Sequence, residues 1–209
     1  MKHATTTTAR SNDRLLQAGP GRLTAVVVWT ALVAIGVAGR LWQPGWNVTP
    51  MAGVALAAGA VFPNSLVAAS VPVVALAVGN LFLPGYGSFA MAAVIYAATA
   101  WPILLGRVVG DADGLRGSIG GGWTTGRWFG LAGGALASSL VFFLATNLAH
   151  WWLTNDYPHT PGGLLDCYVA ALPFYRWMPV GDLVWTAVVF TALSAGLAAM
   201  RSSRVAASA

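Results

Sequence analysis

Glutamate is absent from this chain, cysteine occurs once, and charged residues make up only 8% of it. Each shortage removes a class of function. With hydrophobic residues at 57%, there is too little polar surface to coat a water-soluble globule. A lone Cys167 excludes an intrachain disulfide and any cysteine-rich zinc site. Acidic and basic groups are nearly missing from the inner halves of the apolar runs. That argues against a proton or sodium relay, which needs charged stations at membrane depth. No G-x-x-x-x-G-K-[ST], G-x-S-x-G or H-E-x-x-H pattern occurs, so nucleotide hydrolysis, serine esterase and zinc protease chemistry have no support and an enzyme is not expected. Asp111-Ala112-Asp113-Gly114 lacks the later ligands of a calcium loop and reads as a solvated turn.

What the chain has is long apolar runs, and a bilayer core of about 30 Å calls for runs of roughly 17 to 25 residues. The expected fold is an all-α integral membrane protein of about six transmembrane helices: Leu23 to Ala38, Trp46 to Phe62, Leu66 to Leu83, Phe89 to Leu105, Trp128 to Leu148 and Leu183 to Met200. The second run is short unless Trp46 to Pro50 extends it, and a re-entrant hairpin competes. Residues 1–21 read as a disordered cytoplasmic tail, 22–201 as one transmembrane domain and 202–209 as a second cytoplasmic tail. The first run reads as a retained helix, because no distinct small-residue cleavage site follows it.

Net charge is +5, but the eleven Lys and Arg are dispersed and form no nucleic-acid patch. Nine of them (Lys2, Arg10, Arg14, Arg22, Arg107, Arg116, Arg127, Arg201 and Arg204) fall in the N-terminal tail, the central loop and the C-terminal tail. Cytoplasmic loops retain Lys and Arg, so these segments face the cytoplasm and an even number of crossings lies on each side of the central loop. The re-entrant alternative breaks that parity. The location expected is a bacterial cytoplasmic membrane.

Polar side chains are costly at membrane depth, so their placement is informative. Arg40 and Gln43 close the outer end of the first helix, Asn47 and Thr49 open the second, and Asn80 lies near the outer end of the third. Ser139, Phe143, Thr146, Asn147 and His150 form a stripe along the fifth, and Asp182 starts the sixth. The segment from His150 to Pro179 is too aromatic for a linker and reads as a structured external loop between helices five and six. Within it, Gly163 to Leu172 is a short helix between prolines, with Leu164, Cys167, Tyr168 and Ala171 facing the bundle. The same loop adds Tyr157 and His159. These groups converge on one side, as in a cup for a small organic molecule. The plainer reading is of helix caps and an interfacial aromatic belt. Ala34-x-x-x-Ala38 and Ala55-x-x-x-Gly59 allow close helix approach, either inside the bundle or, for the first, against another membrane subunit.

Three stretches carry a resemblance: Asn47 to Leu56 (NVTPMAGVAL), Phe142-Phe143-x-x-Thr146-Asn147-x-x-x-Trp151, and Tyr157 to Phe174 (YPHTPGGLLDCYVAALPF). They resemble a bacterial family of membrane proteins assigned to transport. The N-terminal half is also similar to the substrate-binding S component of energy-coupling factor vitamin transporters. That resemblance implies six helices, an outer binding site, and a docking face at Ala34 and Ala38 for a coupling transmembrane subunit energised by separate ATPases. It also implies an acidic residue near the end of the third helix, where this chain has Asn80.

The function expected is therefore the substrate-binding subunit of a micronutrient importer. Its candidate ligand-binding residues are Asn47, Asn80, Thr146, Asn147, His150, Tyr157, His159, Cys167, Tyr168 and Asp182. No resident cofactor or metal is expected, and the partners are the ligand, lipid and the coupling proteins. His159 and Cys167 leave a metal-bearing ligand open. The rival reading is a structural scaffold of the cell envelope, in which the external loop contacts protein.

Overall fold

The computed structural model describes residues 21–43, 47–112 and 125–208. Among the described residues every regular element is a helix: α1 (Arg22–Leu41), α2 (Met51–Val61), α3 (Ser65–Gly79), α4 (Phe89–Ala100), α5 (Pro102–Ala112), α6 (Thr125–Leu153), α7 (Pro161–Tyr175) and α8 (Met178–Ser208). The tail of residues 1–20, the end of the Asp111–Gly114 turn and the GGGW stretch lie outside them. Among the described residues, four stretches are long and apolar enough to cross a membrane: Arg22–Leu41, Phe89–Gly110, Thr125–Leu153 and Met178–Met200. They leave Leu23, Val26, Phe129, Leu144, Val184 and Val188 exposed. Such surface costs about 25 cal/mol per Å² in water and nothing in hydrocarbon. The chain is an all-helical membrane protein.

All eleven residues of α2 are buried. Apolar on every side, it is the central element of the bundle and is wrapped by α5, α8, α3 and α1. At 1.5 Å per residue it is about 16 Å long, half a bilayer core. Its contact with α5 is backbone to backbone. Gly59 faces the carbonyl of Ile103 and Gly106 that of Leu56, so closely that a Cβ on either glycine would overlap the opposing chain. Ala55-x-x-x-Gly59 therefore packs internally. In α1 the internal reading is corrected: Ala34 and Ala38 are exposed, while Gly36 and Gly39 turn inward against Ala75 and Pro50.

Several boundaries differ from the sequence expectation. The second helix starts at Met51 and not at Trp46, because Asn47 takes the left-handed region (φ 60°) and Pro50 stands at the N-cap. A residue before proline is also steered away from helix, which keeps Thr49 out. Asn47 and Thr49 are thus wall residues of an irregular entry segment. The third helix stops at Gly79 and closes in a tight turn, with the Leu81 N–H donating to Val78 O at 3.1 Å. The fourth run divides at Trp101-Pro102 and continues to Ala112, past the expected Leu105. Thr160 caps α7, its hydroxyl accepting from Gly163 N at 3.2 Å, and the helix carries through Pro173 to Tyr175. A proline in the last turns forfeits one bond only, so it does not stop the helix where expected. The last helix runs on to Ser208, into the segment expected to be a tail.

α1, α3 and α6 end, and α2, α4 and α8 begin, at the same end of the bundle, where α7 lies. At the opposite end Arg107 donates to Pro63 O at 3.1 Å, beside the α2–α3 turn. α7 rests on α6 through buried Gly163 and Cys167 and half-buried Leu164, Tyr168 and Ala171, the face that its spacing predicts.

Candidate functional site

Arg40 sits in the last turn of α1, where its side chain lies across Gly79 at the end of α3. A Cβ at this glycine would come 3.2 Å from Arg40 Nε, so the arginine would have to shift by a few tenths of an ångström. Arg40 donates from Nη1 to Tyr86 Oη and from Nη2 to Asn80 Oδ1, both at 3.0 Å. Tyr86 Oη donates to the same Asn80 oxygen at 2.9 Å, and Asn80 Nδ2 donates to Tyr96 Oη at 3.3 Å. Every one of these partners is neutral. The guanidinium is fixed in place with its charge uncompensated and N–H donors to spare.

Asp182 lies one turn into α8 and is buried. Ser139 of α6 donates to its Oδ2 at 2.6 Å, the short distance typical of a charge-assisted bond. Arg40 and Asp182 line one cavity of about 280 Å³ and form no ion pair with each other. The cavity occupies the space left by the late start of α2 and the early end of α3. Its polar wall is Arg40, Gln43, Asn47, Thr49, Ser138 and Asp182, with Tyr86 and Thr99. Met51, Leu76, Ile95, Phe142 and Met178 supply an apolar middle. Ser138 and Thr99 donate their hydroxyl protons to Gly134 O (2.6 Å) and Ile95 O (2.7 Å), so they present lone pairs to the cavity. Asn47 Nδ2 reaches Phe174 O at 3.4 Å and ties the entry segment to the end of α7.

Residues 22–204 match DUF6580, a family of unknown function. The chain belongs to that family. No curated protein and no solved structure matches it. The DUF6580 match takes in every element that lines the cavity, so the cavity lies wholly within the family unit.

In this DUF6580 bundle the candidate residues divide into two groups. Asn47 and Asp182 line the cavity, and Asn80 holds Arg40 at its wall. The other seven do not line it. Thr146 donates to Phe142 O and Asn147 to Phe143 O, each at 2.8 Å, which satisfies both within α6. His150 Nε2 lies 3.1 Å from Asp156 Oδ2, and Tyr157 meets the His150 ring edge-on. His159 stacks on Trp152 at 6.2 Å with its Nε2 3.0 Å from Thr154 O. Cys167 Sγ donates to Asn147 O at 3.6 Å and Tyr168 Oη to Leu144 O at 2.8 Å. Burial pushes the Cys167 thiol and the Tyr168 phenol up from their ordinary values. His159 and Cys167 thus serve separate carbonyls, and no group of three or more His, Cys, Asp or Glu forms among the described residues. Of these seven, Cys167 and Tyr168 fasten α7 to α6, while His150, Tyr157 and His159 hold the segment between the two helices.

Sequence reasoning missed Tyr86, Thr99, Ser138, Phe142 and Met178. A hydroxyl in an apolar helix is normally satisfied by the carbonyl a turn back, so Thr99 and Ser138 carry no distinguishing mark. Tyr86 had a weak one, in that the turn around it has no apolar period of its own.

Proposed function

We propose that this protein binds a small organic molecule in the Arg40–Asp182 cavity and acts as the substrate-capturing subunit of a micronutrient importer. The observation that carries the reading is the cavity itself: a hollow of about 280 Å³ with an apolar lining and a guanidinium and a buried carboxyl group in its wall, held by neutral neighbours. Few convergent polar groups on an apolar lining is the composition of ligand sites. A merely structural bundle gains little from a guanidinium and a buried carboxyl group that share one hollow without pairing with each other, because burying each costs desolvation free energy.

The topology belongs to the same reading. α1, α2, α3, the α4–α5 pair, α6 and α8 are six membrane segments, of which α2 and α3 are short because the cavity takes their missing turns. Arg107 and Arg127 at the end away from α7 support the reading that this end, with both termini, faces the cytoplasm of a bacterial inner membrane. The cavity then opens outward beneath α7. Exposed Ala34 and Ala38 on α1 support a small-residue face for a coupling subunit, with ATPases supplying the energy.

The test is native mass spectrometry of the detergent-purified chain, with metabolite extraction from the same sample. A stoichiometric small molecule that is lost from Asp182→Asn supports the reading. A protein that carries no small molecule and retains envelope polypeptides instead makes it a scaffold.

A further inference from the structure

Given that a small molecule occupies this cavity, on which the following rests, we infer that it carries an acidic group and, at another position, a nitrogen that donates a hydrogen bond. The acidic group, a carboxylate or phosphate, pairs with Arg40. Its guanidinium is held by Tyr86 and Asn80 alone, and a planar cation with spare N–H donors at a cavity wall is suited to two-pronged recognition of such an anion. The donor nitrogen, an amine or a ring N–H, pairs with Asp182. This carboxyl group is buried, accepts one hydrogen bond, from Ser139, and keeps acceptor capacity toward the cavity.

The rest of the wall agrees with that polarity. Ser138 and Thr99 have spent their protons on their own helices and offer only acceptors, so donors at this part of the cavity must come from the ligand. Arg40 and Asp182 are kept from neutralising each other, each by its own neutral clamp, and a ligand with both groups satisfies both at once. Size narrows the class further. A hollow of about 280 Å³ lies at the small end of ligand pockets and fits a small organic molecule.

The experiment is a thermal-shift screen of the full-length protein in detergent against a metabolite library sorted into four charge classes: acid with N–H donor, acid alone, base alone, and neutral. Arg40→Gln, Arg40→Lys and Asp182→Asn are screened alongside. Stabilising compounds from the first class are the expected result, with the shift reduced at least tenfold in apparent affinity by Arg40→Gln and by Asp182→Asn. Arg40→Lys keeps the cation and serves if Arg40→Gln fails to fold. It should retain part of the affinity. Stabilisation by neutral or purely basic compounds, or hits indifferent to both charge-removing substitutions, overturns the inference while leaving small-molecule capture intact. Silence across all four classes overturns the capture reading itself.

Discussion

Ser139 and Asp182 meet at 2.6 Å across the α6–α8 contact, and the bond joins the interior of the longest apolar helices to the charged side of the cavity. Few positions in the chain couple stability and ligand chemistry so directly. Ser139 is fully buried and Asp182 nearly so, so water does not replace a missing partner. Removing Ser139 leaves a buried carboxyl group short of one donor.

Ser139→Ala should therefore destabilise the protein by about 1 to 3 kcal/mol, the range for leaving a buried polar group without its partner. In an Asp182→Asn background, where the bond joins two neutral groups, the same change should cost about 0.5 to 1.5 kcal/mol. Unfolding of the four proteins of this double-mutant cycle in detergent gives the coupling directly. Equal costs in the two backgrounds would show that Asp182 draws nothing from Ser139.

Asn80 offers a second substitution with a defined sign. Asn80→Asp places a carboxylate oxygen where Oδ1 now accepts from Arg40 Nη2 at 3.0 Å, so the guanidinium acquires an internal counter-ion. The fold should be kept, and an acidic ligand should bind about tenfold or more weakly because its partner is already neutralised. Isothermal titration with whichever acid the wild type retains decides it. Unchanged affinity would mean that Arg40 does not meet the ligand.

The crossing of α2 and α5 tolerates no side chain at its closest point. Gly106→Val drives two methyl groups into the Leu56 carbonyl, and overpacking of this kind costs about 1 to 3 kcal/mol even where neighbours move. Backbone cannot move as a side chain does, so the cost should reach or exceed the upper value. Loss of the monodisperse peak in detergent size-exclusion is the expected readout. Gly133→Val, where an added Cβ meets nothing within 4 Å, should behave as wild type.

Much of this molecule was legible in its sequence, and the failures have local causes. Apolar runs located the four described helices that are long and apolar enough to cross a membrane, because hydrocarbon demands such runs whatever the packing. Run length could not reveal that Asn47 enters a left-handed turn or that α2 starts only at Met51, since both depend on a few dihedral angles. Arg40, Asn47, Asn80 and Asp182 stood out as polar groups at the ends of apolar helices. Thr146, Asn147, His150 and Cys167 stood out equally and turned out to be satisfied by α6 carbonyls or by Asp156. Sequence shows that a polar group needs a partner. It does not show whether the partner is a backbone carbonyl or a ligand.

Cys167 reports on α7 without touching the cavity. Its thiol is buried, and burial raises its pKa above the ordinary 9.0. The docked helix therefore favours the protonated thiol. Docking has its full strength below the ordinary thiol value and weakens as pH climbs through the raised one. Alkylation needs the thiolate, so at pH 7 Cys167 should react with a maleimide far more slowly than a free cysteine peptide, and its rate should keep climbing with pH beyond the point at which the peptide's levels off. Tyr168→Phe removes the hydroxyl that holds α7 to Leu144 O at 2.8 Å, a bond of about 1 kcal/mol. If α7 reacts by lifting from α6, that variant should label roughly fivefold faster at pH 7, with the slope against pH unchanged. Labelling of the wild type at the peptide's rate would mean that α7 does not rest on the bundle.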